Sequence, residues 1–313
     1  MNLQDESAPR GERGGEGFSH VSVLSQEAID FLAIRRGGTY LDATLGLGGH
    51  SYEIAKRLGA QGHLIGFDKD TNALEMARRR LTEIGDDLKA DWPRITLLHA
   101  SYAEIAKHAQ PKTLDGVLAD LGISSMQLQD AGRGFSFQAE GPLDMRMDPQ
   151  AELTADQVVN HMSERELADV IYEFGEERRS RRIARAICRA RPIRTTAHLA
   201  QVISVVARPM NSSERRIHPA TKTFQALRIF VNHELDDLKE LLAAAPAVLA
   251  PRGRLVVISF HSLEDRIVKD SMREVAQKGK YELLTKKPVT ATEEEIDRNP
   301  RSRSAKLRAV SRK

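Results

Sequence analysis

Asp42-Ala43-Thr44-Leu45-Gly46-Leu47-Gly48-Gly49-His50-Ser51 leaves an apolar strand pattern, residues 39–43, and runs straight into a helical one, residues 49–58. Gly46, Gly48 and Gly49 can take positive φ at little steric cost and let backbone N–H groups approach a ligand, while the helix behind them offers unpaired N–H donors at its positive end. Alone, the turn has two readings: a tight strand-to-helix connection, or one wall of a ligand site. Asp68 adds weight to the second. It closes the next strand pattern, 22 residues after Gly46, where an acid accepts from ribose hydroxyls at the carboxyl edge of a parallel sheet. Asp68 also suits the N-cap of the helix that follows, and Asp70 suits it equally.

Outward from this stretch, strand patterns at 63–67, 95–98 and 116–119 alternate with helical ones at 71–84 and after Ser101, and a short amphipathic helix at 20–32 leads in. Such alternation implies right-handed crossovers and helices on both faces of the sheet. From about Gly122 to His218 the patterns are helical only, at 155–162, 164–173, 176–191 and 197–207. A long helix (220–245), a strand (255–260), a helix (263–276) and two extended stretches (281–286 and 305–310) then complete the sheet, the last pair as an antiparallel hairpin at its edge. The acidic run 293–297 reads as loop. The expected class is α/β, a doubly wound, mostly parallel Rossmann-like sheet with an inserted all-helical domain. Its divisions are a disordered tail at 1–18, a cofactor domain at 19–128 and 220–313, and the helical insert at 129–219.

Composition bounds the function. The chain has 313 residues, 41% hydrophobic and 29% charged, enough for one large domain with an insertion. No apolar run approaches the roughly 20 residues of a membrane span, and the polar first 18 residues lack a signal-peptide core, so a soluble cytoplasmic protein is expected. The single cysteine, Cys188, lies at helical spacing with Ile183, Ile187 and Ala190 and reads as core. The histidines show no metal-ligand spacing, so no metal site is expected. Net charge is only +3, but residues 178–194 hold eight arginines and no acid, and 298–313 hold seven basic residues and no acid. Blocks of this kind are footprints for polyanions, here including Arg178, Arg182 and Arg185.

A third acid, Asp120, ends the strand pattern before Leu121-Gly122-Ile123-Ser124-Ser125 and should face the same crevice as Gly48 and Asp68. Tyr102, just after the third strand, can stack on adenine or pack in the core. Nicotinamide enzymes use this edge too, but the lack of a conventional Gly-x-Gly-x-x-Gly favours S-adenosylmethionine over NAD.

These stretches resemble the bacterial 16S ribosomal RNA cytosine 4-amino methyltransferase family (MraW/RsmH). The resemblance rests on Asp42 to Ser51, Gly66-Phe67-Asp68-Lys69-Asp70, Asp120 to Ser125, Arg133-Gly134-Phe135-Ser136-Phe137, Gly141 to Asp148, Gly175-Glu176-Glu177-Arg178, His218-Pro219-Ala220-Thr221, Thr223-Phe224-Gln225-Ala226, Ser259 to Arg266 and Asn299-Pro300-Arg301. Only the first 18 residues lie outside it. It implies a class I methyltransferase sheet, S-adenosylmethionine as methyl donor, and methylation of a cytosine 4-amino group in the decoding region of the small ribosomal subunit. It further implies cofactor contacts at Gly48, Gly49, His50, Asp68, Tyr102, Asp120 and Gln127, and an insert that helps to hold RNA. Two positions depart from the family's usual residues: Tyr102 stands where Phe is common, and Met126 where Pro precedes Gln127.

Methyl transfer to an exocyclic amine needs in-line placement, excluded water and an acceptor for the amine proton. Asp120 is the candidate for that acceptor, with cofactor orientation as its other role. Phe135 and Phe137 are candidates for stacking a displaced base, or else core aromatics of the insert. On the helix from Ala220, Thr221, Gln225, Arg228 and Asn232 share a polar face that could line the substrate cleft. His261, Ser262 and Asp265 invite a hydrolytic triad, but no nucleophile elbow surrounds them. Two other readings stay open: a non-catalytic ribosome-assembly module, and a nicotinamide-dependent oxidoreductase. Oligomeric state is not legible.

Overall fold

Strands that read as unbroken apolar runs are buried on both faces, as a parallel sheet covered by helices requires. In the computed structural model, which describes residues 22–83, 86–207 and 218–313, Val117, Leu118 and Ala119 of the fourth strand are all fully buried. The strands are β1 (Thr39–Asp42), β2 (His63–Asp68), β3 (Arg94–His99), β4 (Leu114–Asp120), β5 (Leu249–Ser259), β6 (Tyr281–Leu283) and β7 (Lys306–Arg312). They form one seven-stranded sheet in the order β3-β2-β1-β4-β5-β7-β6. β1 to β5 are parallel, and β7 runs antiparallel to both β5 and β6. The expected doubly wound sheet with a late antiparallel edge is present. The order reverses between β1 and β4, so the crevice outside their carboxyl ends is the topological switch point where ligands of such sheets bind.

Register fixes what stands at that edge. Asp42 pairs with Gly66 on β2 and Leu118 on β4, so Asp68 and Asp120 each project two residues beyond it and flank the glycine turn. Asp120 pairs in turn with Ile258 on β5, which sets Phe260 just past the edge on the far side. Asp68 pairs with His99 on β3, which sets Tyr102 past the edge on the near side.

Between β4 and β5 the described chain is helical. Helices Ala155–His161, Glu164–Gly175, Ser180–Ala190 and Thr196–Val206 build a separate apolar cluster that includes Phe135, Met145, Val159, Ile171, Ile187 and Ile203, with Cys188 packed against it. Phe224, Leu227 and Val231 belong to this cluster, so the helix counted with the sheet on sequence grounds turns its apolar face to the insert.

Several elements differ from expectation. The long helix 220–245 is two helices, Thr221–Asn232 and Glu234–Val248, because His233 takes a left-handed conformation (φ 53°). The break folds Glu234 back onto Arg228, six residues away, a pair that a straight helix would hold on different faces. The run 293–297 is not loop. It lies in helix Glu293–Arg298, where the Thr292 side chain accepts from the Glu295 N–H and three acids sit in the first turn, favoured at the positive helix end. The lead-in helix starts at Ser25 and the arginine-rich helix at Ser180, each after a positive-φ residue, Leu24 and Glu176. The expected tail at 1–18 and the end of helix 71–84 lie outside the described residues. None of the described helices is long and apolar enough to cross a membrane.

Candidate active site: a crevice at the switch point

The glycine turn performs two jobs. Gly46 (φ 51°) lets the turn leave β1 so that its N–H reaches the Asp68 carboxylate at 2.7 Å. Gly48 (φ 74°) caps the Gly49–Leu58 helix, and a Cβ there would lie 3.3 Å from that of Ala77. Gly48 is thus buried against the Thr71–Thr82 helix, and its role is close packing of helix on turn. Expected as a cofactor contact, it is not among the residues that line the crevice, whereas Gly46, Leu47, Gly49 and His50 are.

The crevice opens to solvent at the carboxyl edge of the sheet, where small-molecule sites of such folds lie. Of the residues expected to contact the cofactor, Asp68, Tyr102, Asp120 and Gln127 also line it. Each Asp68 oxygen accepts one backbone N–H, from Gly46 at 2.7 Å and from Asp70 at 2.8 Å, and a carboxylate so bound keeps acceptor sites free for a pair of hydroxyls. Burial pushes its pKa up to about 6. Helix capping falls to Asp70, whose Oδ1 accepts the Asn72 N–H. Tyr102 is fixed by its hydroxyl, which donates to the Glu234 carbonyl. Gln127 is held at both ends: its Oε1 accepts the Ser124 N–H and its Nε2 donates to Asp70.

Asp120 is locked on one side. Its N–H donates to Thr44 Oγ1 at 2.6 Å, which ties the end of β4 to the glycine turn. Its Oδ2 lies 3.3 Å from His50 Nε2. Asp120 Oδ1 and both His50 ring nitrogens are buried and form no hydrogen bond within the described residues. Burial lowers the His50 pKa, and the carboxylates of Asp120 and Asp42 more than offset this, so it stands above its ordinary value. Asp42 itself is buried, accepts from Ser51 Oγ at 2.7 Å, and has its pKa raised by that burial. Buried polar atoms without partners are rare in native proteins, and three of them, Asp120 Oδ1 and the two His50 ring nitrogens, belong to residues that line this one crevice.

Charge narrows the ligand class. The acids at the crevice are Asp68, Asp120 and Glu234, and the strong cations are Lys69 and Arg301. Both cations are engaged: Lys69 with Asp237 and the Asn232 carbonyl, Arg301 with the Ile123 carbonyl and Ser125 Oγ. Among the described lining residues a pyrophosphate would meet carboxylates and no unengaged cation, whereas a cationic sulfonium is favoured. Sequence reasoning did not anticipate Thr44, Met147, Glu234, Phe260 or Arg301 at this site. All but Glu234 fall in stretches already noted, Asp42 to Ser51, Gly141 to Asp148, Ser259 to Arg266 and Asn299-Pro300-Arg301, but only the tertiary fold brings them together at the crevice.

The expected RNA contacts divide. Arg178, Arg182 and Arg185 are exposed, and Arg185 reaches Glu164 at 3.2 Å. Thr221 is exposed, while Gln225 donates to the Phe174 carbonyl. Arg228 is no free cation: it forms a buried two-point pair with Glu234, Nε to Oε1 at 2.8 Å and Nη2 to Oε2 at 2.9 Å. Asn232, on the same face, donates to the Met145 carbonyl and accepts the Met147 N–H, so that face is an internal seam and not a cleft lining. Phe135 is a core residue of the insert and cannot stack a base. Phe137 is half-buried, its ring centroid 4.5 Å from that of His218 and 4.9 Å from that of Phe224. No hydrolytic triad forms, because Ser262 bonds Glu176, His261 pairs with Glu264, and Asp265 pairs with Arg308 and Lys306. No metal-ligand cluster occurs among the described residues.

A doubly wound sheet in this strand order, with an acid that keeps free acceptor sites on one side of a glycine turn and a carboxylate with one unpartnered oxygen on the other, defines a nucleoside-cofactor enzyme of the methyltransferase class. The chain belongs to the MraW methylase family, whose model matches residues 17–313. It is 86% identical over 313 residues, covering 100% of both chains, to a Koribacter versatilis protein described as ribosomal RNA small subunit methyltransferase H. Proteins of the same description from Acidobacterium capsulatum and Sorangium cellulosum are 61% and 50% identical, covering 94% and 97% of this chain and 98% and 92% of theirs. S-adenosylmethionine is the methyl donor, and the crevice fits it: free acceptor sites on Asp68 for the ribose, the Tyr102 ring beside it, and an acidic face with orphaned polar atoms at Asp120 and His50.

Proposed function

We propose that this protein methylates the exocyclic 4-amino group of a specific cytosine in the decoding region of 16S ribosomal RNA, acting in the cytoplasm on the small subunit or its RNA. The observation that carries the chemistry is Asp120 Oδ1, buried at the crevice and without a partner. Family membership and full-length relatives described as small-subunit RNA methyltransferases support small-subunit RNA as the substrate, and the resemblance noted in the sequence supplies the cytosine.

When bound, S-adenosylmethionine supplies a methyl group on a sulfonium sulfur. Gly49, His50, Asp68, Tyr102 and Gln127 form its wall. Asp120 Oδ1 accepts an N–H of the cytosine amine, restores electron density to a nitrogen whose lone pair is delocalised, and takes the proton as the nitrogen–carbon bond forms and the sulfur–carbon bond breaks. His50 stands against the other Asp120 oxygen and fixes the carboxylate's orientation. The substrate-binding unit is the helical insert, 129–219, completed by the Thr221–Asn232 helix, with Arg178, Arg182 and Arg185 supplying phosphate contacts.

The test is transfer of labelled methyl to small-subunit RNA and particles, followed by nucleoside digestion and mass spectrometry. N4-methylated cytidine is expected, with Asp120→Ala lowering kcat about 100-fold or more while S-adenosylmethionine still binds. Label in any other nucleoside, or full activity of the variant, would overturn the reading.

A further inference from the structure

At the carboxyl edge of the sheet, two aromatic side chains line the crevice, one toward each end: Tyr102 after β3 and Phe260 after β5. The register assigns them different partners. Tyr102 stands beside Asp68, on the ribose side of the glycine turn. Phe260 follows the partner strand of Asp120, across the turn, and both residues line the crevice; one Asp120 oxygen is buried there without a partner. Tyr102 is committed through its hydroxyl to the Glu234 carbonyl, whereas Phe260 offers only a ring.

The local structure holds that ring in place. The Phe260 N–H donates to Glu264 Oε2 at 2.8 Å, at the start of the Ser262–Gln277 helix, which fixes the backbone where β5 ends. Glu264 is kept ionised for this: burial works against its charge, and His261 and Arg228 override burial to hold its pKa below the ordinary value. Gly122 lies against the ring, and a Cβ there would come 3.3 Å from Phe260 Cδ2. Gly122 also has φ 102°, a conformation glycine alone takes readily. A bare backbone beside an anchored, half-buried ring leaves a flat apolar wall next to the proton acceptor, and the two phenylalanines the sequence suggested for such a wall are buried or packed within the insert.

We propose that Phe260 is the ring against which the acceptor base stacks while Asp120 takes its amine proton. The inference rests on the substrate reading above and deepens it. A planar base delivered to Asp120 needs a surface that fixes its tilt as well as its position, since misplacement of about 1 Å can cost 100-fold in rate. Stacking on an aromatic face supplies that surface without base-specific hydrogen bonds.

The test is steady-state methyl transfer to small-subunit particles by wild type, Phe260→Leu, Phe260→Ala and Phe260→Tyr, with S-adenosylmethionine affinity measured by calorimetry on each. Phe260→Leu keeps the apolar volume and should lower kcat/KM for the particle about 10- to 100-fold, with cofactor Kd changed less than about twofold. Phe260→Tyr restores the ring and should recover activity to within about threefold of wild type. Wild-type activity in Phe260→Leu would overturn the stacking role, and so would a loss in every variant matched by weaker cofactor binding. Wild-type enzyme that labels no small-subunit RNA would overturn the substrate reading itself, and this inference with it.

Discussion

Replacing Asp68 by Asn tests the cofactor site at its most defined point. Asp68 accepts one backbone N–H on each oxygen, at 2.7 and 2.8 Å. Asn offers a single oxygen, so its amide NH2 must face the N–H of either Gly46 or Asp70, and one acceptor for the ribose disappears. A hydrogen bond to a charged group contributes about 1.5–3 kcal/mol, so S-adenosylmethionine should bind about 10- to 150-fold more weakly. The pH dependence sharpens the test. Burial raises the Asp68 pKa to about 6, and the protonated acid loses an acceptor to its own O–H. Wild-type affinity should therefore fall about tenfold between pH 7 and pH 5, with proton release on binding near pH 6. The sign for the empty protein is opposite to that of a salt-bridged acid. A raised folded-state pKa favours the folded protein at low pH, and that contribution is lost as pH rises through about 6. Calorimetry in buffers of different ionisation enthalpy reads both effects. A pH-independent wild-type affinity, or an Asn variant that keeps the wild-type slope, would refute the assignment of the ribose to Asp68.

Other parts of the structure give separate expectations. Arg228→Met strands Glu234 in a buried site and should destabilise the protein by about 3–5 kcal/mol, while the double variant Arg228→Met/Glu234→Gln recovers most of it in denaturant unfolding. Gly134→Ala places a Cβ 2.1 Å from the Pro142 carbonyl oxygen at φ 68°, and calorimetric scans should show Tm lower by about 5 °C or more. Combined Arg178→Ala, Arg182→Ala and Arg185→Ala should weaken small-subunit RNA binding and flatten its log–log salt dependence by about 2, with S-adenosylmethionine affinity unchanged. An unaltered salt slope would remove these arginines from the RNA interface.

The sheet was legible because buried strands betray themselves as apolar runs, and the acids that end them, Asp68 and Asp120, mark the edge where ligands bind. The helix break was not. Apolar periodicity runs on through Leu227, Val231 and Leu235, and the residue that interrupts it is His233, which carries no glycine or proline signal. The same break decides the fate of Arg228, an exposed cleft residue if the helix is straight and half of a buried pair once Glu234 folds back. Phe260 and Arg301 escaped notice for a different reason. Each comes to the crevice from far along the chain, 140 and 181 positions after Asp120, so its stretch stands out in the sequence while its place at the site follows only from the tertiary fold. Phe135 shows the converse, a ring in a suggestive glycine-flanked motif that the insert uses for its own core.

The helical insert is joined to the cofactor edge by directional bonds. Asp70, two residues past Asp68, takes Gln127 Nε2 at 2.9 Å and Arg133 Nη1 at 2.8 Å on one oxygen. Arg133 Nη2 then donates to the carbonyls of Arg146 and Met147, and the Met147 N–H returns to Asn232 Oδ1. The loop closes when the Asn232 carbonyl accepts Lys69 Nζ, the residue between Asp68 and Asp70. An apolar seam of the same size would tolerate sliding, because dispersion contacts have little angular preference, whereas each bond in this ring weakens steeply with angle. A half-satisfied ring would cost more than an apolar contact, so the arrangement is stable only in the one docking geometry that pairs every member. That geometry places Met147 in the wall of the crevice and so fixes the insert's position relative to the cofactor edge, which is what a methyl transfer needs from the unit proposed to present the RNA.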